Sequence, residues 1–323
     1  MKAIRVHTLG GPEALQLEDL PTPQPGAGEI LIQVEAVGVN FIDVYQRKGL
    51  YKVATPFTPG QEAAGTIAAL GPDVIGFRVG DRVACYHAGL AAYAAFALAP
   101  VDRVIQLPDG VSAPQGAAVM LQGMTAHYLA ISTYPLKPGD TCLVHAAAGG
   151  VGLLLCQIAK RRGARVIGTV STDAKATLAR EAGADDVIRY TEQDFEVELK
   201  RITGGAGVQV IYDSVGQTTF DRGLRSLARR GMMVLFGQSS GPVGPLDPQL
   251  LNQRGSLYLT RPTLAHYVAT RNELVGRAGE LFTWVQDGSL RLRIEHQFPL
   301  ARAGDAHREL EARRTTGKVL LIP

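Results

Sequence analysis

Through residues 1–122, short runs rich in Val, Ile and Ala alternate with Gly and Pro, as in Ile30-Leu31-Ile32-Gln33-Val34-Glu35-Ala36-Val37, Gly65-Thr66-Ile67-Ala68-Ala69-Leu70 and Arg82-Val83-Ala84-Cys85-Tyr86. Short apolar runs bounded by turn residues predict strands, so this part is expected to be an antiparallel, β-rich domain. Near Val119–Gly123 the texture changes. Met124 to Ser132 is a small-residue helical pattern, after which strand and helix signals alternate. Strands are predicted at Thr141–His145, Arg165–Val170, Asp186–Ile188, Val208–Tyr212 and Gly231–Phe236, and helices at Val151–Arg161 and Asp173–Ala182. Gly163 stands just past the first of these helices, where a C-cap belongs. Alternation of this kind predicts a doubly wound parallel sheet.

Beyond Pro262 an amphipathic helix is predicted from Thr270 to Asp287, with Leu274, Val275, Ala278, Leu281, Phe282 and Val285 near a 3.6-residue period. The final run, Gly317-Lys318-Val319-Leu320-Leu321-Ile322-Pro323, reads as a strand with no sheet of its own. It is expected to return to the first domain. The organisation predicted is therefore residues 1–123 as one domain, 124–262 as a second, and 263–323 as a return to the first.

Composition narrows the class. A chain of 323 residues exceeds one ordinary core, and 46% hydrophobic with 20% charged residues is the balance of a folded globular protein. A formal charge of +3 with scattered Lys and Arg gives no basic stripe, so neither nucleic acid nor membrane is expected as a partner. No apolar run reaches the roughly 20 residues of a membrane span, and Met1-Lys2-Ala3-Ile4-Arg5 leads straight into a strand pattern, so a cytoplasmic location is expected. Cys85, Cys142 and Cys156 are far apart in apolar surroundings and read as buried thiols.

The candidate chemistry centres on His145-Ala146-Ala147-Ala148-Gly149-Gly150-Val151-Gly152. The turn lies between a predicted strand and a predicted helix, where small residues let the backbone approach a pyrophosphate and helix-terminal amides favour its charge. Alanine replaces the first glycine of the usual G-x-G-x-x-G, but the context is that of a dinucleotide seat. Cofactor choice is read at the end of the second strand. That strand ends Gly168-Thr169-Val170-Ser171, with Lys175 on the following helix, a hydroxyl and a cation suited to a 2′-phosphate. Asp173 is the competing ribose acid, equally explained as a helix N-cap or first-turn residue. Tyr190, after the third strand, is placed to complete the phosphate pocket. NADPH is the cofactor these residues predict.

Seven segments together resemble the medium-chain dehydrogenase/reductase superfamily, and within it the zinc-free, zeta-crystallin-like NADPH:quinone oxidoreductases. They are Gly10-Gly11-Pro12-Glu13, Gly38-Val39-Asn40-Phe41-Ile42-Asp43, Gly60-Gln61-Glu62-Ala63-Ala64-Gly65, the glycine turn, Tyr212-Asp213-Ser214-Val215-Gly216, Phe236-Gly237-Gln238-Ser239-Ser240-Gly241 and Thr260-Arg261-Pro262. The resemblance spans essentially the whole chain. It implies an α/β protein with a GroES-like β-rich catalytic domain, a Rossmann cofactor domain and homodimeric assembly. The zinc alcohol dehydrogenases of that superfamily carry a metal-binding Cys where this chain resembles them at Asn40 and a His at the position of Gln61. Neither carboxamide replaces thiolate or imidazole as a zinc ligand, so a metal-free enzyme is expected.

Without a Lewis acid an alcohol is hard to oxidise, whereas a quinone accepts hydride readily and needs positioning more than activation. The resemblance therefore implies hydride transfer from NADPH to a quinone. Asn40 is expected to hold the nicotinamide ribose or the substrate carbonyl, with an Asx-turn as its alternative role, and Asp43 to fix that loop. Tyr45 and Tyr51 are candidates to stack on or hydrogen-bond a quinone, or simply to pack. The resemblance further assigns Thr125, Ala148, Gly149, Gly150, Val151, Gly152, Ser214, Phe236, Gly237, Ser239, Ser240, Arg261, Arg313 and Lys318 to the cofactor.

Two decoys are set aside. Gly237-Gln238-Ser239-Ser240-Gly241 fits a hydrolase nucleophile elbow, but Pro242, Pro245 and Pro248 preclude the helix that must follow. The seven histidines are scattered without ligand spacing, and His145 is expected at a strand end, not as a base. The competing functions are reduction of activated C=C bonds in enals or enones, and a crystallin-like role binding NADPH or RNA.

Overall fold

The computed structural model describes residues 1–323. The first part of the chain forms strands β1 (Lys2–Arg5), β2 (Gln16–Asp19), β3 (Glu29–Val39), β4 (Glu62–Leu70), β5 (Arg82–Tyr86), β6 (Phe96–Pro100) and β7 (Val104–Gln106). Helix α1 (Phe41–Arg47) follows β3 directly, and α2 (Ala113–Ala118) begins a helical run that continues through α3 (Met124–Tyr128) to Thr133. Ser112 caps α2, accepting from the Gln115 backbone amide while Gln115 Oε1 accepts from the Ser112 backbone.

The alternating segment supplies β8 (Thr141–Val144), α4 (Gly150–Arg161), β9 (Arg165–Val170), α5 (Asp173–Glu181), β10 (Asp186–Arg189), α6 (Phe195–Ile202), β11 (Val208–Asp213), α7 (Phe220–Ser226), β12 (Leu227–Leu235), α8 (Gln249–Gln253), β13 (Tyr258–Thr260) and α9 (Leu264–Tyr267). The chain ends with α10 (Arg271–Gln286), β14 (Ile294–Pro299), α11 (Ala303–Glu311) and β15 (Lys318–Ile322). Contacts divide it into two compact units, Met1–Met124 with Val268–Pro323, and Thr125–Tyr267.

In the first unit a seven-stranded sheet runs β14-β15-β3-β4-β5-β7, with β6 also paired to β3. The terminal strand β15 lies antiparallel to β3, Leu320 opposite Gly38, and so carries the carboxyl terminus into this sheet. Ile30, Ile32, Val37, Val39, Ile67, Val83, Leu90, Tyr93, Val319 and Leu321 form its core.

In the second unit six strands, all parallel, are ordered β10-β9-β8-β11-β12-β13. Leu143, Ile167, Ile188, Val208, Ile211 and Met233 make the sheet's contribution to the core, covered by Phe195, Leu199, Phe220 and Leu224 from the helices. A parallel sheet buried on both faces accounts for the nearly unbroken apolar runs.

Three details depart from the pattern reading. Strand β12 starts at Leu227 rather than Gly231, because a bulge interrupts its pairing between Val208 and Val210 and places Arg230 in the left-handed region (φ 60). The polar stretch Ala228–Gly231 imitates a turn. Strand β13 is a three-residue edge that leaves no periodic signal. In α10 the buried face includes Trp284, while Val275 is exposed.

Candidate active site

The parallel strands deliver their carboxyl ends to one edge, the position at which doubly wound sheets bind ligands. After β8 the His145 amide donates to Tyr212 O (3.1 Å) and the Ala147 amide to Thr169 O (3.1 Å), tying the turn across three strands. Ala146 takes φ +52, the left-handed conformation that glycine usually supplies. The Gly149 amide closes the turn onto Ala146 O (2.9 Å), and Gly149 is the N-cap of α4 with no side chain capping it. The first-turn amides of Gly150, Val151 and Gly152 are donors of the kind that bind anions at helix starts. A side chain at Gly152 would collide with the Ala146 carbonyl, so the close turn requires glycine there.

His145 is buried under this turn, with Nδ1 2.9 Å from Thr169 Oγ1 and its ring edge-on to Phe195. Burial pushes its pKa down and keeps the ring neutral.

At the end of β9, Ser171 O accepts from Thr191 Oγ1 (2.8 Å) and the Tyr190 amide donates to Val170 O (3.0 Å), joining the tips of β9 and β10. Thr172, not Asp173, is the N-cap of α5, accepting from the Lys175 amide. Asp173 lies in the first helical turn and is paired with Arg189 (3.1 Å), which also holds Glu192. The residue competing for a ribose thus has a cation against it.

Past β11, the buried Asp213 carboxylate accepts from the Val215 and Gly216 amides (2.7 and 3.0 Å) and from Thr219 Oγ1 (2.8 Å). The following loop is sewn to this turn, since the Phe236 and Gly237 amides donate to Asp213 O, the Ser239 amide to Ser214 O and the Ser240 amide to Val215 O. The Ser240 hydroxyl is engaged in the same way, donating to Val215 O and accepting from the Thr218 amide. Arg261, just past β13, donates to Leu235 O (3.1 Å). No helix follows Gly241 until α8, as the prolines require.

In the first unit Asn40 precedes α1 and is buried. Its Nδ2 donates to Glu62 Oε1 (2.7 Å) and Gly38 O (3.3 Å), while Oδ1 accepts from Gln122 Nε2 (3.1 Å) and Lys318 Nζ (3.2 Å). Lys318 and Glu62 form a buried ion pair, and the other Glu62 oxygen accepts from the Leu121 amide. The ammonium and the carboxylate together dictate which way the Asn40 amide points.

Asp43 Oδ2 accepts from the Asn40 backbone amide (2.8 Å) and the Tyr93 hydroxyl (3.2 Å). Burial pushes the Asp43 carboxyl up to about 7, against the lowering effect of those two hydrogen bonds. Tyr45 is buried on α1, and the Tyr51 ring meets it edge-on at 5.5 Å.

Two families match parts of the chain: the alcohol dehydrogenase GroES-like domain over residues 26–109 and the zinc-binding dehydrogenase domain over residues 150–274. A quinone oxidoreductase of Pseudomonas aeruginosa is 45% identical over 323 residues, which cover 100% of this chain and 99% of that protein. The structure of Escherichia coli quinone oxidoreductase complexed with NADPH is 45% identical, with a TM-score of 0.98 and 100% of both chains covered. The chain belongs to the quinone oxidoreductase family. A 2-haloacrylate reductase of Burkholderia is also similar, 40% identical over 325 residues and 98% of each chain.

Within this quinone oxidoreductase framework, the residues of the second unit fit NADPH. The uncapped start of α4, the contact that only glycine at 152 permits, and Ser171 in place of an acid at the β9 tip all suit it. The fold brings Ala148–Gly152, Ser171, Lys175, Tyr190, Ser214, Phe236, Gly237, Ser239, Ser240 and Arg261 to the carboxyl ends of one sheet. Thr125 lies in α3 and is buried. Arg313 is exposed at the end of α11 in the left-handed region (φ 58).

Two of the residues expected at the cofactor are already engaged within the protein. Lys318 is expected to contact the cofactor, and its side chain is 3% exposed, with the ammonium against Glu62 and Asn40. The Asn40 carboxamide already makes four hydrogen bonds, so holding a ribose or a substrate carbonyl would displace one of them. Glu62, Gln122, Tyr93, His307, Arg47 and Arg189 escaped the sequence reading. Glu62 and Lys318 did leave one signal: each is a charged residue at the first position of an apolar strand.

Proposed function

We propose that the protein is an NADPH:quinone oxidoreductase that transfers hydride directly to its acceptor without a metal. The reading is carried by its full-length likeness to quinone oxidoreductases, one of them complexed with NADPH. NADPH, when bound, supplies the hydride from nicotinamide C4.

The chain's own residues bind and orient. The amides of Gly150, Val151 and Gly152 hold the pyrophosphate, with Ala148 and Gly149 shaping the turn. Ser171, Lys175 and Tyr190 take the 2′-phosphate, and the Asp173–Arg189 pair lessens the repulsion that an unpaired acid there would exert. Ser214, Phe236, Gly237, Ser239 and Ser240 line the cofactor's path through their interlaced backbones, while Thr125, Arg261 and Arg313 are assigned to it by resemblance. Asn40 and Asp43 order the start of α1, and the Tyr45 and Tyr51 hydroxyls and rings position the acceptor. Hydride addition to a quinone also consumes one proton, which a tyrosine hydroxyl or water delivers to the acceptor oxygen.

Two observations support a metal-free reaction. Asn40 and Gln61 offer carboxamides where zinc enzymes of the superfamily use thiolate and imidazole, and the cation against Glu62 is an ammonium.

A second reading, reduction of activated C=C bonds, is favoured by the likeness to 2-haloacrylate reductase. Steady-state kinetics with NADPH and NADH against 1,4-benzoquinone, 9,10-phenanthrenequinone and alkenals, with and without a chelator, separate these readings. Quinone turnover preferring NADPH and insensitive to chelator is expected. Activity on alkenals alone would overturn the quinone assignment, and chelator sensitivity the metal-free one.

A homodimer is the proposed assembly. The edge strand β13 exposes Tyr258 and Leu259 beside an unpaired backbone edge, which a second copy would cover. No helix is long and apolar enough to cross a membrane, and a cytoplasmic location is proposed.

A further inference from the structure

Behind the Asn40 turn runs a continuous buried polar chain, Arg47–His307–Tyr93–Asp43. Chemistry sets its direction. A guanidinium has only donors, so Arg47 Nη1 donates to His307 Nδ1 (3.1 Å), which must carry the lone pair. Burial pushes His307 down to about 3, and the positive charges of Arg47 and Lys48 add to this, so the ring is neutral and its single proton lies on Nε2. Nε2 donates to the Tyr93 hydroxyl oxygen (2.9 Å), and the Tyr93 proton is thereby directed to Asp43 Oδ2 (3.2 Å). Every link is polarised towards one carboxylate. Arg47 is itself anchored by Gly10 O and Glu311, which pairs also with Lys48.

We propose that His307 and Tyr93 are positioning residues of the reaction: through this one-way chain they favour the ionised form of Asp43 against its burial, and Asp43 in turn holds the Asn40 turn and α1, which carries Tyr45, in the geometry that receives the acceptor. The proposal rests on the oxidoreductase reading above.

Three observations support it. Asp43 Oδ1 is buried without a hydrogen-bond partner, an arrangement that simple packing does not call for. The groups facing Asp43 oppose one another: Glu62 on β4 disfavours its charge, while Lys318 on β15, the Tyr93 hydroxyl and the Asn40 amide favour it. With the carboxyl poised at about 7, the loss of one hydrogen bond decides its state at neutral pH.

The test compares wild type with Tyr93→Phe, His307→Leu and His307→Gln. Two readouts are taken: the pH profile of kcat/KM with NADPH and 1,4-benzoquinone, and the titration of Asp43 by carbon NMR of protein labelled at aspartate. Removing the Tyr93 hydroxyl is expected to move the acid limb and the Asp43 titration upward by about one pH unit, the shift that losing one hydrogen bond to a charged group produces. His307→Leu should shift both the same way. His307→Gln, whose amide keeps a donor towards Tyr93, should stay near wild type. Unchanged Asp43 titration in Tyr93→Phe and His307→Leu, with only a lower melting temperature, would reduce the chain to packing and overturn the proposal. The NMR titration needs no acceptor, so it decides the matter even if quinone proves to be the wrong substrate.

Discussion

Replacing Lys318 by Met tests whether its ammonium is structural or reaches the cofactor. Both partners of its ion pair are almost wholly buried, Lys318 at 3% and Glu62 at 0% side-chain exposure. The substitution keeps the aliphatic volume but strands the Glu62 carboxylate, which retains only the Asn40 Nδ2 and Leu121 amide donors. Removing one member of a buried pair costs about 3–5 kcal/mol. With the two surviving hydrogen bonds a loss of about 3 kcal/mol is expected, or about 6–12 °C in melting temperature at roughly 2–4 °C per kcal/mol. Adding Glu62→Gln removes the stranded charge, and the double variant should recover to within about 1 kcal/mol of wild type. Scanning calorimetry on the two single variants and the double variant measures this, and the KM for NADPH is read in parallel. A melting temperature within about 2 °C of wild type for Lys318→Met, joined to a raised KM for NADPH, would refute the reasoning and return Lys318 to the cofactor.

Three further outcomes are expected. Gly152→Ala drives a methyl group against the Ala146 carbonyl and should weaken NADPH binding by about tenfold or more, measured by isothermal titration, through distortion of the amides at the start of α4. Arg189→Ala leaves Asp173 unpaired and should weaken NADPH binding several-fold with little effect on NADH. Asp173→Asn in that background should restore the selectivity, and equal losses for both cofactors would argue against the pairing. The third concerns pH. His307, lowered to about 3, contributes stability that is complete above its unfolded value and lost as pH falls towards 3, whereas Asp43, raised to about 7, contributes stability present at low pH and lost as pH rises towards 7. The two slopes cancel between the unfolded carboxylate and imidazole values, so Asp43→Asn should become steeper than wild type by about 1.4 kcal/mol per pH unit between about pH 4 and 6.5 in urea unfolding. Parallel curves would show that the two groups do not titrate as described.

The glycine turn was legible because its mechanism is local: strand, close turn and helix start occupy adjacent residues, and each demands small side chains. The same holds for the alternation of strands and helices that specifies the parallel sheet. The placement of Ser171 at the tip of β9 and of Lys175 at the start of α5 was legible for the same reason, since a fixed offset from the turn sets it. Edge strand β13 and the bulge in β12 were not, because one is too short for periodicity and the other depends on a neighbouring strand's register.

The buried networks lay furthest from sequence reasoning. Arg47 and His307 stand 260 residues apart, and Glu62 and Lys318 are separated by 256. In the sequence Arg47 and His307 are ordinary polar residues whose default expectation is solvation. What the chain determined by itself was the order of elements and the chemistry of the dinucleotide turn, because period, capping and turn geometry act over a few residues. Tertiary structure decided that β15 returns beside β3, and so brings Lys318 to Glu62 and Asn40, and that α11 sets His307 against Arg47 and Tyr93. Desolvation and pairing give these groups their roles, and both arise only when distant segments close over them.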